Sequence, residues 1–127
     1  MQLPVLAPRL FALRMDAALD FAAVSSFERT IVDHVARHPQ TRDVCVFAHA
    51  INSIDATGVA TFQKLLAFLV ARQVTLHISG MKLPVENVLR RSGALEDSRY
   101  LKLYRTDQEA LSALTRGQDE ALAGPAE

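Results

Sequence analysis

The sequence predicts an α/β sandwich, a sheet whose central strands run parallel with helices packed against it. Three observations predict it. Val44–Phe47 is a continuous run of strand-forming residues without polar alternation, as a strand covered on both faces requires. Segments with apolar residues at helical spacing recur between short strand-like segments. The strand–helix alternation repeats along the chain, and parallel strands joined by right-handed crossovers are the arrangement that accommodates it.

The chain has 127 residues, one domain's worth, and half of them are apolar, which is enough for a sizeable core. Lys plus Arg and Asp plus Glu number 14 each, so no basic excess draws in nucleic acid or an anionic membrane surface. The single cysteine, Cys45, lies inside the apolar strand. It allows no internal disulfide, fits a reducing compartment, and reads as a small core residue. No segment approaches the run of about 20 apolar residues that a spanning helix needs, because Gln63 and Lys64 interrupt the best candidate. Met1–Leu13 contains Pro4, Pro8 and Arg9 and lacks the basic-then-apolar order of a signal peptide. Residues 1–9 read as a linker or edge segment, 10–116 as the domain, and 117–127 as a mobile tail.

Taken in order, residues 10–15 (LFALRM) form the first strand, and Leu19–Phe21 a second short extended piece. From Ala22 to His38, Val24, Phe27, Ile31 and Val35 fall on one side of an amphipathic helix that Pro39 ends. Asp43–Ala48 is the central strand. Thr57–Arg72 is the most apolar helix, with Val59, Phe62, Leu65, Leu66, Leu69 and Val70 in one broad stripe. Burying five such side chains stabilises by about 10 kcal/mol before conformational entropy is set against it. Val74–Ser79 alternates apolar and polar residues, predicting a strand with one face better buried than the other. A helix starting near Pro84 buries Val85, Val88 and Leu89 and stops at Gly93, with Arg90 and Arg91 complementing its negative end. Tyr100–Tyr104 is the last strand, Lys102 marking an exposed edge. Thr106 and Glu109 form a capping box that opens a final helix burying Leu111 and Leu114.

The candidate functional site is the turn between the central strand and the most apolar helix. Its residues are Ser53, Asp55, Thr57 and Gly58. Asp55 stands where a carboxylate accepts N–H bonds from the first helical turn, and Thr57 falls within that turn, beside free N–H groups and the positive end of the helix dipole. Gly58 leaves the approach open. A phosphate on the Thr57 hydroxyl, or an anion beside it, would meet favourable electrostatics there. The turn also reads as purely structural, with Asp55 only a cap and Gly58 only a close-packing residue. His34 and His38 stand four apart on a helix but have no third ligand, so they read as surface histidines and no metal site is assigned. The sequence does not place His49 and His77. A Ser/His/Asp mechanism lacks a GxSxG elbow, and the phosphate- and dinucleotide-binding patterns GxxxxGK(S/T) and GxGxxG are absent, as is CxxC. With five glycines and no lysine beside Thr57, nucleotide binding at the turn is disfavoured and no cofactor is assigned.

The IDATG turn, the apolar helix after it, VTLHISG and PVENVLRRSGAL, in that order, resemble the STAS domain, the module of sulfate transporters and anti-sigma-factor antagonists. The resemblance covers residues 10–115. It looks closest to the C-terminal cytoplasmic domain of the sulfate permease group of anion transporters, to which Leu19–Ala22 adds a further likeness. It implies a mixed sheet of four or five strands with about four helices. The implied role is non-catalytic and regulatory, through contacts with the membrane domain of the same transporter and with cytoplasmic proteins. The domain would then lie at the cytoplasmic face of the membrane, and the whole transporter would dimerise. The alternative is a free-standing anti-sigma-factor antagonist. Antagonists of this family usually carry DSSG at the turn; here Ala56 and Thr57 replace the serines, so Thr57 stands at the position of their phosphorylated residue.

Overall fold

The computed structural model of the chain describes residues 10–14, 21–51, 53–95 and 99–123. Strands and helices alternate as β1 (Leu10–Arg14), α1 (Phe21–Arg37), β2 (Asp43–Phe47), α2 (Ala56–Ala71), β3 (Thr75–Ser79), α3 (Leu83–Arg91), β4 (Leu101–Tyr104) and α4 (Asp107–Ala123). The strands lie side by side in chain order, and each neighbouring pair is parallel. Val44 sits in register between Phe11 and Leu76, and Val46 between Leu13 and Ile78. Among the described residues the sheet is therefore four-stranded and wholly parallel rather than mixed. The cause is that a helix joins each of these strands to the next and returns the chain to the same end of the sheet.

Successive side chains of a strand point to opposite faces, and this divides the interior in two. One face carries Phe11, Leu13, Val44, Val46, Leu76, Ile78 and Leu101, and joins Ile31 and Val35 of α1, Val59, Leu65, Leu66 and Leu69 of α2, and Val85 and Leu89 of α3 in the main core. The other face carries Leu10, Ala12, Cys45 and Phe47, with Tyr104 packed beside them, and meets Ala110 and Leu114 of α4. β2 is thus covered on both sides, which accounts for its unbroken apolar run. The α2 stripe fixes that helix against β3 and α1. Pro39 limits α1 as expected, with the helix ending at Arg37 and the His38 N–H bonding to the His34 carbonyl at 2.9 Å.

Several expectations change. β3 is buried on both faces, not one: His77 is 5% exposed and Ser79 fully buried, because α4 covers the side on which they stand. Leu111 is exposed, and α4 docks instead through Ala110 and Leu114. α4 also continues through Ala123, past the tail start expected at Gly117, since a single glycine costs a helix only about 1 kcal/mol. Phe21 opens α1 rather than closing an extended piece; Leu19 and Asp20 lie outside the described residues, as do segments 1–9 and 124–127.

Candidate functional site

At the carboxyl end of the sheet the chain leaves β2 through Ala48, whose N–H bonds to the Ser79 carbonyl at 2.8 Å. Ile51 turns back beneath the loop, its N–H on the Ala48 carbonyl at 3.1 Å and its side chain buried in the main core. Ile54 packs half-buried against the same core. These two isoleucines pin the loop from below and leave Ser53, Asp55, Ala56 and Thr57 exposed. Asn52 lies outside the described residues.

Asp55 is the N-cap of α2. Its backbone is extended (φ −99°, ψ −178°), its carboxylate accepts the Gly58 N–H at 2.8 Å, and its carbonyl accepts the Val59 N–H at 2.9 Å. The first two helical N–H groups, of Ala56 and Thr57, have no acceptor within the helix. Thr57 is the second residue of α2, with its side chain in solvent. Gly58 is buried, and a Cβ there would stand 2.7 Å from Cγ1 of Ile54. The glycine therefore serves close packing of the loop on the helix, while the opening above it belongs to Thr57. From Thr57 onward the outer face of α2 presents Ala60, Gln63, Lys64, Ala67 and Ala71, all exposed, with one charge among them. Beneath the loop lies a small cavity of about 50 Å³ whose lining is apolar throughout and includes Ile51, Ile54, Phe62 and Met81.

The sequence left the histidines unplaced, and the structure binds both to the opposite face of the sheet. His77 Nε2 meets Asp43 Oδ1 at 2.8 Å and its Nδ1 meets the Tyr104 hydroxyl at 3.0 Å. His49 Nε2 meets Asp107 Oδ1 at 2.5 Å, and Ser79 Oγ donates to that same carboxylate oxygen at 2.5 Å. Aspartate is the hub of this second cluster. Because the Ser79 hydroxyl bonds to carboxylate rather than imidazole and is fully buried, the trio lacks the Ser–His contact of a nucleophilic triad. Strand register carries the missed signal: Cys45 pairs with His77 and Ser79 with Tyr104, which puts these polar residues on one face.

His34 and His38 stack on each other with centroids 4.1 Å apart, and His34 also stacks on Phe11 at 3.7 Å. Burial, and then the neighbouring His38, hold the His34 pKa below the usual imidazole value. Among the described residues no three His, Cys, Asp or Glu side chains converge as a metal site. Cys45 is fully buried, and burial, reinforced by Asp107 and Asp43, pushes its thiol up to about 12. No described helix is long and apolar enough to cross a membrane.

A parallel sheet with helices on both faces and an exposed, capped strand-to-helix turn defines the class: an α/β domain that offers a helix N-terminus and the helix face behind it to its surroundings. The family model of the STAS domain matches residues 5–110, and the chain belongs to that family. No curated protein matches it by sequence. Among solved structures, the STAS domain of a SulP transporter from Vibrio cholerae is 22% identical with a TM-score of 0.70, over 91% of this chain and 89% of that one. The phosphorylated form of the Bacillus cell fate determinant SpoIIAA is 15% identical with a TM-score of 0.68, over 90% and 97%. The murine anion transporter Solute Carrier 26 family member A9 is 12% identical with a TM-score of 0.69; the match covers 85% of this chain and 18% of the transporter. At these identities the likeness is one of fold.

Proposed function

We propose that this STAS domain is a non-catalytic interaction module of a sulfate-permease-like anion transporter, working at the cytoplasmic face of the membrane. Its contact surface is the turn Ser53–Gly58 together with the outer face of α2. The observation that carries this reading is the character of that face. Asp55, Ala56 and Thr57 stand exposed at its head, and behind them it sets the small side chains of Ala60, Ala67 and Ala71 beside Gln63 and Lys64, the single charge. Small residues allow a partner backbone close approach, and a nearly uncharged face costs little to desolvate.

The same geometry describes how a signal at Thr57 would act. A phosphate there carries a charge of about −1.5 to −2 and gains from the helix dipole and the N–H groups of Ala56 and Thr57. It also repels the Asp55 carboxylate, which already caps Gly58. Phosphorylation would therefore weigh an anion-binding helix end against its own cap, and the turn, rather than the core, would reorganise.

Thr57→Glu tests the regulatory part: partner binding or transport changes while the thermal unfolding midpoint stays within a few degrees. Unchanged binding and transport would remove Thr57 from the mechanism. The transporter assignment is tested by sequencing the native gene upstream of the Met1 codon. An open frame continuing into apolar segments of about 20 residues agrees with it. A stop codon and ribosome-binding site there would replace it with the free-standing anti-sigma-factor antagonist.

A further inference from the structure

We propose that the exposed arginines at the amino end of the sheet form a patch that binds the anionic headgroups of a lipid surface. Equal totals of acidic and basic residues conceal a local segregation. α1 and α2 pack on each other, and each returns the chain to the amino end of the parallel sheet, so both helices finish there. Arg37 is the last residue of α1, and Arg72 is the C-cap of α2. Arg42 stands between them, directly before β2. Its Nη1 donates to the carbonyls of Pro39 at 2.9 Å and Thr41 at 3.0 Å, and its own carbonyl accepts the Thr75 N–H at 2.9 Å. The Arg72 guanidinium lies over the Phe68 ring, 3.8 Å from its centroid. All three arginines are exposed, as is His38 beside them, and none of the three pairs with a carboxylate among the described residues.

The carboxylates nearest in sequence leave this charge standing. Asp33, one turn back along α1, makes no ion pair among the described residues, and the Asp43 carboxylate is held by His77 at 2.8 Å. A helix C-terminus carries about half a unit of negative charge. That accounts for part of the placing of Arg37 and Arg72, but not for Arg42, which precedes a strand. The cluster keeps a net positive charge. The kind of partner follows from what the patch lacks. Protein interfaces gather aromatic and apolar residues at their cores. The large exposed apolar side chains among the described residues, Leu83, Leu103 and Leu111, all stand on α3, β4 and α4 instead. Cations without an apolar anchor fit a diffuse layer of phosphate and carboxylate headgroups, to which the guanidinium fork is matched. The inference goes beyond the transporter reading and rests on it only for which membrane the patch would meet.

Co-sedimentation of the 127-residue chain with lipid vesicles tests the proposal. It needs no transporter, so its outcome is separate from that of sequencing upstream of Met1. At low salt, vesicles of equal parts phosphatidylserine and phosphatidylcholine bind the chain about 100-fold more tightly than phosphatidylcholine alone, each arginine contributing about fivefold. Raising the ionic strength to about 0.5 M removes the difference. Arg37→Gln, Arg42→Gln and Arg72→Gln each weaken binding about fivefold, with the thermal unfolding midpoint showing that the fold is kept. Arg42→Lys, which keeps the charge, binds within about twofold of the original chain. Lys102→Gln, on the exposed β4 at the far edge of the sheet, leaves binding unchanged. Equal affinity for the two kinds of vesicle, no binding at low salt, or an equal loss from Lys102→Gln would overturn the proposal. So would tighter binding of a polyglutamate peptide or duplex DNA through the same arginines.

Discussion

Gly58→Ala separates what the turn does for folding from what it does for recognition. Gly58 is the third residue of α2 and helical, so alanine gains about 0.8–1 kcal/mol in helix propensity. Against this, its Cβ would stand 2.7 Å from Ile54 Cγ1 and 3.3 Å from Cδ1, where carbon atoms prefer about 3.5–4.0 Å. Ile54 must therefore move by about 1 Å, and the free space open to it is the apolar cavity of about 50 Å³ that it helps to line. A side chain forced off its rotamer costs about 0.5–1.5 kcal/mol. The two effects nearly cancel. The account predicts a stability change within about 1 kcal/mol, a midpoint shift of about 3–5 °C at most in a chain of this size. It also predicts displaced amide resonances at residues 53–57, next to the moved isoleucine. Urea denaturation and a two-dimensional NMR spectrum check both. A loss above about 3 kcal/mol, or a spectrum unchanged around the turn, would refute the packing argument.

Other outcomes follow from buried groups. Cys45, whose thiol is raised to about 12, stays unreactive to a thiol reagent in the folded chain and reacts only on unfolding. An unfolded thiol ionises near 9.0, so the unfolded state loses its proton first; stability falls by about 1.4 kcal/mol per pH unit from about 9 towards 12, and Cys45→Ala flattens that slope. His34, with its pKa lowered by burial and then His38, stays neutral in the fold to lower pH than in the unfolded chain. Stability therefore falls as pH drops below 6.5, and NMR titration finds the His34 ring protonating below that value. The Thr41 hydroxyl is buried without a hydrogen-bond partner among the described residues, so Thr41→Val, measured by urea unfolding, raises stability by about 1 kcal/mol.

The elements were legible because their signals are local. The run Val44–Phe47, the α2 stripe and Pro39 each act within a few residues, and the strands and helices they mark are those observed. The Asp55 cap was legible for the same reason. So was the capping box of α4: the Glu109 N–H bonds to Thr106 Oγ1 at 3.1 Å, although the Glu109 carboxylate reaches back to the Arg105 N–H rather than to that of Thr106. What one strand's pattern does not carry is the character of its neighbours. His77 and Ser79 look like solvent-facing positions of an alternating strand, and they are buried because α4, remote in sequence, supplies Asp107 and covers that face. Leu111 and Leu114 look equivalent, but docking onto Cys45 and Phe47 selects the phase of Ala110 and Leu114. The parallel order also needed the pairing partners, which only the register of Phe11, Val44 and Leu76 supplies. At the turn, Thr57 and Asp55 could be named from sequence, while the apolar pinning by Ile51 and Ile54 beneath them could not.

The central claim is that the turn and the outer face of α2 meet a protein partner. A photo-activated cross-linking residue at position 57, with a second in place of the exposed Leu111 of α4 as control, tests it in cells carrying the native gene. The account predicts that position 57 cross-links to the membrane-spanning part of an anion transporter, identified by mass spectrometry, and that position 111 does not. Cross-links from position 111 alone, with none from position 57, would contradict it.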